Sequence, residues 1–152
     1  VKDYARLLCD DPDYSEKAQR VSALARDLSE VLVAEDLSVL GKSPNGKRIA
    51  IHTPCTLQHG QQLPDSVQSI FQASGFELTK VQDAHLCCGA AGTYSILQRE
   101  LSQQLLSNKL ACLQDDKPDY IATANIGCLL HMQQDAQVPV MHWVELLERS
   151  LN

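Results

Sequence analysis

The sequence predicts an α/β fold, a parallel sheet of about four strands with helices on its faces, preceded by an N-terminal helical segment. Three observations predict it. Short β-branched apolar runs recur from residue 47 onward, stretches with helical spacing of apolar residues follow them, and turn-forming residues separate the two kinds. Alternating strands and helices imply crossover connections, and crossovers imply strands that run parallel.

Residues 14–40 come first. Ala18, Val21, Leu24, Ala25, Leu28, Val31 and Leu32 recur at three- and four-residue steps, so one long helix with a single apolar stripe is expected. Covering the sheet is the plain use of that stripe. Asp13 with Glu16 fits a capping box at its start. Residues 41–47, "GKSPNGK", read as a loop. "KRIAIHTP", 47–54, is the first strand. Residues 64–75 form a helix with Val67, Ile70 and Phe71 on one face and Gly75 where it should end. "FELTKVQ", 76–82, is the second strand. Residues 90–114 read as one long helix, with one stripe through Tyr94, Leu97, Leu101 and Leu105 and a second through Leu106 and Leu110. "DYIATAN", 119–125, is the third strand, "CLLHMQQDA" a short helix, "VPVMHW" the last strand and "VELLERSLN" a terminal helix. Residues 1–46 are expected to pack as a helical segment on a domain formed by 47–152. The opening "VKDYARLL" has the character of mid-protein sequence, so the chain reads as a fragment of a longer subunit.

Composition narrows the function classes. The 152 residues are 44% hydrophobic and 21% charged, which suits a soluble globular domain. A formal net charge of −6 without a Lys/Arg cluster argues against nucleic acid as a partner. No apolar run is long enough for a transmembrane segment, and no signal-peptide pattern opens the chain. Six cysteines are too dilute for a secreted disulfide scaffold. A cytoplasmic location is therefore expected, where clustered cysteines serve as ligands or redox groups more often than as staples.

Four of them fall at corresponding places. Cys55 follows the first strand, Cys87 and Cys88 follow the second at the start of the next helix, and Cys128 follows the third. The carboxyl ends of parallel strands share one edge, where ligands bind, so these thiols should converge. Iron–sulfur clusters and structural zinc both need converging thiolates. Helix N-termini at Gly89 and Cys128 would favour the anionic form. The small residues 89–92 would let the backbone approach a bulky group and offer it N–H donors. The intervals are not those of a zinc finger, whose ligands come in close pairs. Any one of these cysteines could equally be a small buried hydrophobe, a reading that weakens for four together.

The remaining candidates carry less. His131, three residues after Cys128, could be a further metal ligand or a base that activates the thiol, and an ordinary helix histidine explains it as well. His52 and His85 flank the cysteine loops and could tune a site, whereas His59 and His142 add no signal. Cys112 reads as core packing, and nothing near Cys9 makes it reactive. A Cys–His hydrolase would need no doublet. "CCGAAG" lacks the Lys-Ser/Thr ending of a phosphate loop and the glycine spacing of a dinucleotide fingerprint.

"HTPCTLQHG", "HLCCGAAGTYS" and "ATANIGCLLHM" resemble the cysteine-rich CCG domain of heterodisulfide reductases, succinate:quinone reductase relatives, lactate-utilisation proteins and glycolate oxidase iron–sulfur subunits. The chain is most similar to the C-terminal such domain of the last group, over nearly its whole length. The resemblance implies an electron-transfer domain of an oxidoreductase subunit, relaying electrons from a flavin-containing subunit that oxidises glycolate to glyoxylate. It implies Cys55, Cys87, Cys88 and Cys128 as ligands of an iron–sulfur cluster of the 4Fe-4S type, with Gly89 supplying the close turn behind the doublet. Its further implications are partners in the flavin subunit and the remainder of the same polypeptide, and peripheral membrane association through the full complex. The isolated domain is not expected to turn over substrate. The fuller family pattern ends Cys-x-x-Cys, and here the last position is His131. A four-thiolate cluster, a mixed site including His131, and zinc in a structural or subunit-assembly module without redox activity all remain open.

Overall fold

The computed structural model describes residues 1–37 and 46–149. The loop expected at 41–47, the end of the helix expected over 14–40 and the end of the terminal helix lie wholly or partly outside them. Contacts divide the chain into two compact units, residues 1–35 and 36–152.

The first unit holds three short helices, α1 (Tyr4–Leu7), α2 (Ser15–Leu24) and α3 (Leu28–Val33). The single long helix expected here is broken. Ala25 turns extended, and Asp27 caps a new helix by accepting from the Ser29 N–H while the Glu30 carboxylate receives the Asp27 N–H. This is the capping box of the region; the pair expected at Asp13 and Glu16 does not form, and Asp11 accepts from the Asp13 and Tyr14 N–H groups instead. The break splits the apolar stripe. Ala18 is buried, but Val21, Leu24, Leu28 and Val31 are exposed, Leu24 at 78%. Ser22 ties the unit together, receiving the Ala5 N–H and donating to the Val1 carbonyl.

The second unit is the α/β domain. Its strands are β1 (Arg48–His52), β2 (Glu77–Leu78), β3 (Tyr120–Thr123) and β4 (Val140–His142), all parallel, in the order β2-β1-β3-β4. Helices α4 (Ser66–Ala73), α5 (Tyr94–Leu97), α6 (Arg99–Gln114) and α7 (Ile126–Met132) make the crossovers, and α8 (Trp143–Arg149) closes the described chain. Among the described residues no helix is long and apolar enough to cross a membrane.

Ala50, Ile121 and Val140 share one core cluster with Leu106, Leu110 and Leu113 of α6 and Leu129 and Met132 of α7. The alternate residues Ile49, Ile51, Ala122 and Met141 are buried too, so both faces of the sheet are covered, as a parallel sheet requires. Helix α4 ends as its sequence predicts. Gly75 takes φ +76°, its N–H reaches the Gln72 carbonyl and the Phe76 N–H the Phe71 carbonyl, and the two phenyl rings meet edge to face at 4.8 Å.

Two elements are shorter than predicted. Strand β2 pairs only through Glu77 and Leu78, because the Lys80 N–H turns to the Asp116 carboxylate and the chain leaves the sheet. The helix expected from residue 90 begins at Tyr94 and is interrupted at Gln98 (φ −123°, ψ +54°). Gly89 and Gly92 are both left-handed, so the stretch before Tyr94 is loop, and the helix N-terminus expected at Gly89 is absent. Of the two stripes, the one through Leu106 and Leu110 is buried, whereas Leu97 and Leu101 are exposed.

Candidate metal centre

The strand order fixes where a site can form. After β1 the chain crosses to one side of the sheet, and after β3 to the other, so a crevice opens beyond the carboxyl ends of these two adjacent strands. Cys55 lies three residues past β1, in the turn that opens the π-helical segment Thr56–Gly60. Cys128 lies in the first turn of α7, where the Asn125 side chain caps the helix and accepts the Cys128 N–H at 3.1 Å. The loop between β2 and α5 brings Cys87 and Cys88 to the same place.

All four thiols line one cleft of about 260 Å³, together with Pro54, Thr56, Ala90, Ala91, Gly92 and Asn125. Among the described cysteines none is in a disulfide. The four are not equivalent. Cys88 is buried at 2% exposure within the core cluster, Cys128 and Cys87 are half-buried, and Cys55 is exposed. They interact in two pairs. The Cys128 thiol donates to Cys88, and this bond pulls Cys88 well below its ordinary range; burial opposes the shift, while His52 and the Ala90 N–H reinforce it. The same bond, then burial, pushes Cys128 upward. Partial desolvation, followed by Cys87, pushes Cys55 upward.

Backbone donors point at the sulfurs. The Gly89 N–H lies 3.3 Å from Cys87 Sγ, and the Ala90 N–H bonds Cys88. Gly89 itself could not be another residue. Its φ is +90°, and an added Cβ would collide with the Ser102 carbonyl oxygen of α6. The doublet loop thus lies directly on helix backbone.

One histidine joins the thiols. His52 is the last residue of β1, two on from Ala50 and so on the same face of the strand. It is 3% exposed, and its donor atom lies with those of Cys88 and Cys128 in a group all within 4.8 Å of one another. Thr123 Oγ1, its neighbour in the sheet register, engages His52 Nδ1 at 2.9 Å, which leaves Nε2 as the ring nitrogen for Cys88. Such a partner fixes the tautomer and aim of a ligating imidazole. His131 lies elsewhere. It is buried on α7 but does not line the cleft; its Nε2 meets Ser102 Oγ at 3.2 Å, behind Gly89. His85 and His59 are exposed, and Cys9 and Cys112 are outside the cleft.

Sequence reasoning underrated His52 and missed Ser102 and Lys109. The signal for His52 was its place two residues past Ala50 on a strand heading for Cys55. Ser102 and Lys109 interrupt the buried stripe of α6, and both are fully buried. Polar residues kept in such a stripe have partners, here the Gly89 and Ala84 carbonyls of the doublet loop.

Comparison with known proteins gives the family. The cysteine-rich domain of the CCG family matches residues 49–133, from the start of β1 through α7. The chain belongs to that family. It is 45% identical over 151 residues to the glycolate oxidase iron–sulfur subunit of Escherichia coli (strain K12), an alignment covering 99% of this chain and 37% of that protein. It is 30% identical to lactate utilization protein A of Bacillus velezensis, covering 96% of this chain and 64% of the relative. The chain thus spans between about a third and two thirds of these relatives.

Proposed function

We propose that Cys55, Cys87, Cys88 and Cys128 hold an iron–sulfur cluster, of the 4Fe-4S type, and that the chain is an electron-transfer domain of an oxidoreductase subunit. The observation that carries this reading is the meeting of four thiols from three separate loops in one cleft of about 260 Å³. That space is several times the roughly 30 Å³ that a single small ligand such as water occupies. The donor set fits the group, being four sulfurs with backbone N–H donors at Cys87 and Cys88. When bound, the cluster supplies one-electron chemistry. The residues supply everything else: Pro54, Ala90, Ala91 and Gly92 wall the cleft with apolar or small groups, and the Gly89 and Ala90 N–H groups stabilise negative charge on sulfur.

The 45% identity to a glycolate oxidase iron–sulfur subunit supports the finer assignment. The partner would be a flavin-containing subunit that oxidises glycolate to glyoxylate in the cytoplasm, with electrons passing through the cysteine cleft. The domain would then have no substrate turnover of its own.

A second reading is favoured by one observation. His52, Cys88 and Cys128 already lie within 4.8 Å of one another, close to the spacing of ligands around a tetrahedral zinc ion. Metal and acid-labile sulfide content of the protein purified without oxygen decides between them. Iron with sulfide and a broad visible absorbance establishes the redox reading; stoichiometric zinc in a colourless solution replaces it with a structural module.

A further inference from the structure

Two polar residues occupy the otherwise apolar buried face of α6. Ser102 and Lys109 are seven residues apart, two turns along the same face, and neither has any exposed surface. Each reaches the segment that carries the cysteine doublet. Ser102 Oγ donates to the Gly89 carbonyl at 2.9 Å, and Lys109 Nζ donates to the Ala84 carbonyl at 2.7 Å. Cys87 and Cys88 lie between these two attachment points, so α6 straps the loop on both sides of them.

For Ser102 the hydrogen bond is a sufficient account, since a hydroxyl is small, neutral and also met by His131. For Lys109 it is not. Lysine is among the residues least often fully buried, and burying an ammonium is costly unless an opposite charge compensates it. A neutral amide could bond the Ala84 carbonyl without that cost. Among the described residues no carboxylate forms an ion pair with Lys109. The titratable groups that favour its charged form are thiols: Cys112, one turn along α6, first, and then Cys88, Cys55 and Cys87 of the cleft.

We propose that Lys109 is the buried counter-cation of the thiolate centre: it straps the doublet loop at Ala84 and offsets the negative charge that Cys55, Cys87, Cys88 and Cys128 carry when they hold a metal. The inference rests on the metal reading of the cleft, though not on the metal being iron. Four thiolates around a divalent ion leave a net charge of about −2, close to the buried Cys88 side of the cleft. A fixed cation on the protein side of that site favours the loaded state over the empty one. In a redox-active centre it also favours the reduced form, which carries one more negative charge. Burial lowers the affinity of Lys109 for its proton, and Cys112 followed by the cleft thiols restores part of it.

The test uses the full polypeptide, reduced and metal-free, titrated with cobalt(II) while thiolate-to-cobalt absorbance is read. Lys109→Gln keeps a donor for the Ala84 carbonyl without the charge, Lys109→Met removes both, and Lys109→Arg keeps the charge. Both neutral variants should bind cobalt at least about tenfold more weakly, and Lys109→Arg should stay near the wild type. In iron-loaded protein Lys109→Gln should lower the midpoint potential, by about 59 mV for each tenfold change in the ratio of reduced to oxidised centre. If Lys109→Gln binds cobalt like the wild type and only Lys109→Met is weakened, the lysine is a strap alone and the proposal is overturned. Wild-type protein that takes up no cobalt defeats the metal reading and the counter-cation with it; cobalt uptake unchanged in all variants defeats the counter-cation alone. Should Lys109→Arg not fold, the Gln variant against the wild type still decides.

Discussion

The cysteine cleft has two halves built differently. Its deep half, Cys88, Cys128 and His52, is set in the domain core: Cys88 packs with Leu106 and Leu129, Cys128 sits in a capped helix turn, and His52 is held by Thr123 across the sheet. Its rim, Cys55 and Cys87, is carried by loops, with Cys55 exposed. The deep half is aimed by the fold before any metal arrives. At the rim only Cys55 stands exposed, while Cys87 is met from behind by the Gly89 N–H.

The largest effect should come from removing ligands. Serine at any of Cys55, Cys87, Cys88 or Cys128 should abolish stoichiometric metal loading, together with the stability linked to it. The halves should part in the metal-free protein. Cys88→Ser buries a polar group in the core and should lower unfolding stability by roughly 1–3 kcal/mol, whereas Cys55→Ser should stay within about 0.5 kcal/mol. Urea denaturation of the reduced, metal-free variants measures this, and equal losses at both positions would erase the distinction drawn between core and rim.

Gly89→Ala should come next. The added methyl would meet helix backbone at a left-handed position, so a loss on the order of 3 kcal/mol is expected, with the denaturation midpoint lowered at unchanged slope. Gly92→Ala is the matched control. It is also left-handed, at φ +50°, but an added Cβ there meets nothing within 4 Å, so only about 1 kcal/mol should be lost. Thr123→Val, which removes the partner of His52 Nδ1, acts on metal binding instead. If His52 helps to hold the metal, cobalt affinity should fall about 10- to 100-fold with little change in the stability of the metal-free fold.

The strands and the meeting of the cysteines were legible because both follow from alternation: β-branched runs mark strands, and parallel strands share a carboxyl edge. What sequence could not show was set by tertiary contacts. The stripe from Ala18 to Leu32 has helical spacing throughout, yet Asp27 finds a better partner in starting a new helix than in continuing the old one. Strand β2 stops after two residues because Asp116, far away in sequence, captures the Lys80 N–H. His131 and His52 looked alike in sequence. Only the sheet register, placing Thr123 beside His52, and the close approach of Gly89 to α6, placing Ser102 beside His131, tell the imidazole that joins the thiols from the one behind the doublet loop.

The effect most specific to the deep half is a pH dependence of the reduced, metal-free protein. Cys88 loses its proton more readily in the fold than its ordinary value of 9.0 allows, chiefly because the Cys128 thiol donates to it. Below pH 9 the unfolded chain therefore holds a proton at Cys88 that the folded chain has released, and stability rises with pH across that window. Above 9 the order inverts: the unfolded chain releases the Cys128 proton, which the fold retains because Cys88 accepts it, and stability falls. Cys55, also raised, adds to the fall. Urea denaturation between about pH 5 and 10 should give a maximum near 9. Cys88→Ala should flatten the rise, since it removes the anion; Cys128→Ala should weaken the rise and reduce the fall, because it removes both the donor and the retained proton. A wild-type profile that stays flat to pH 9 would mean that both deep thiols keep their protons in the fold, and that the core half is no better prepared for a metal than the rim.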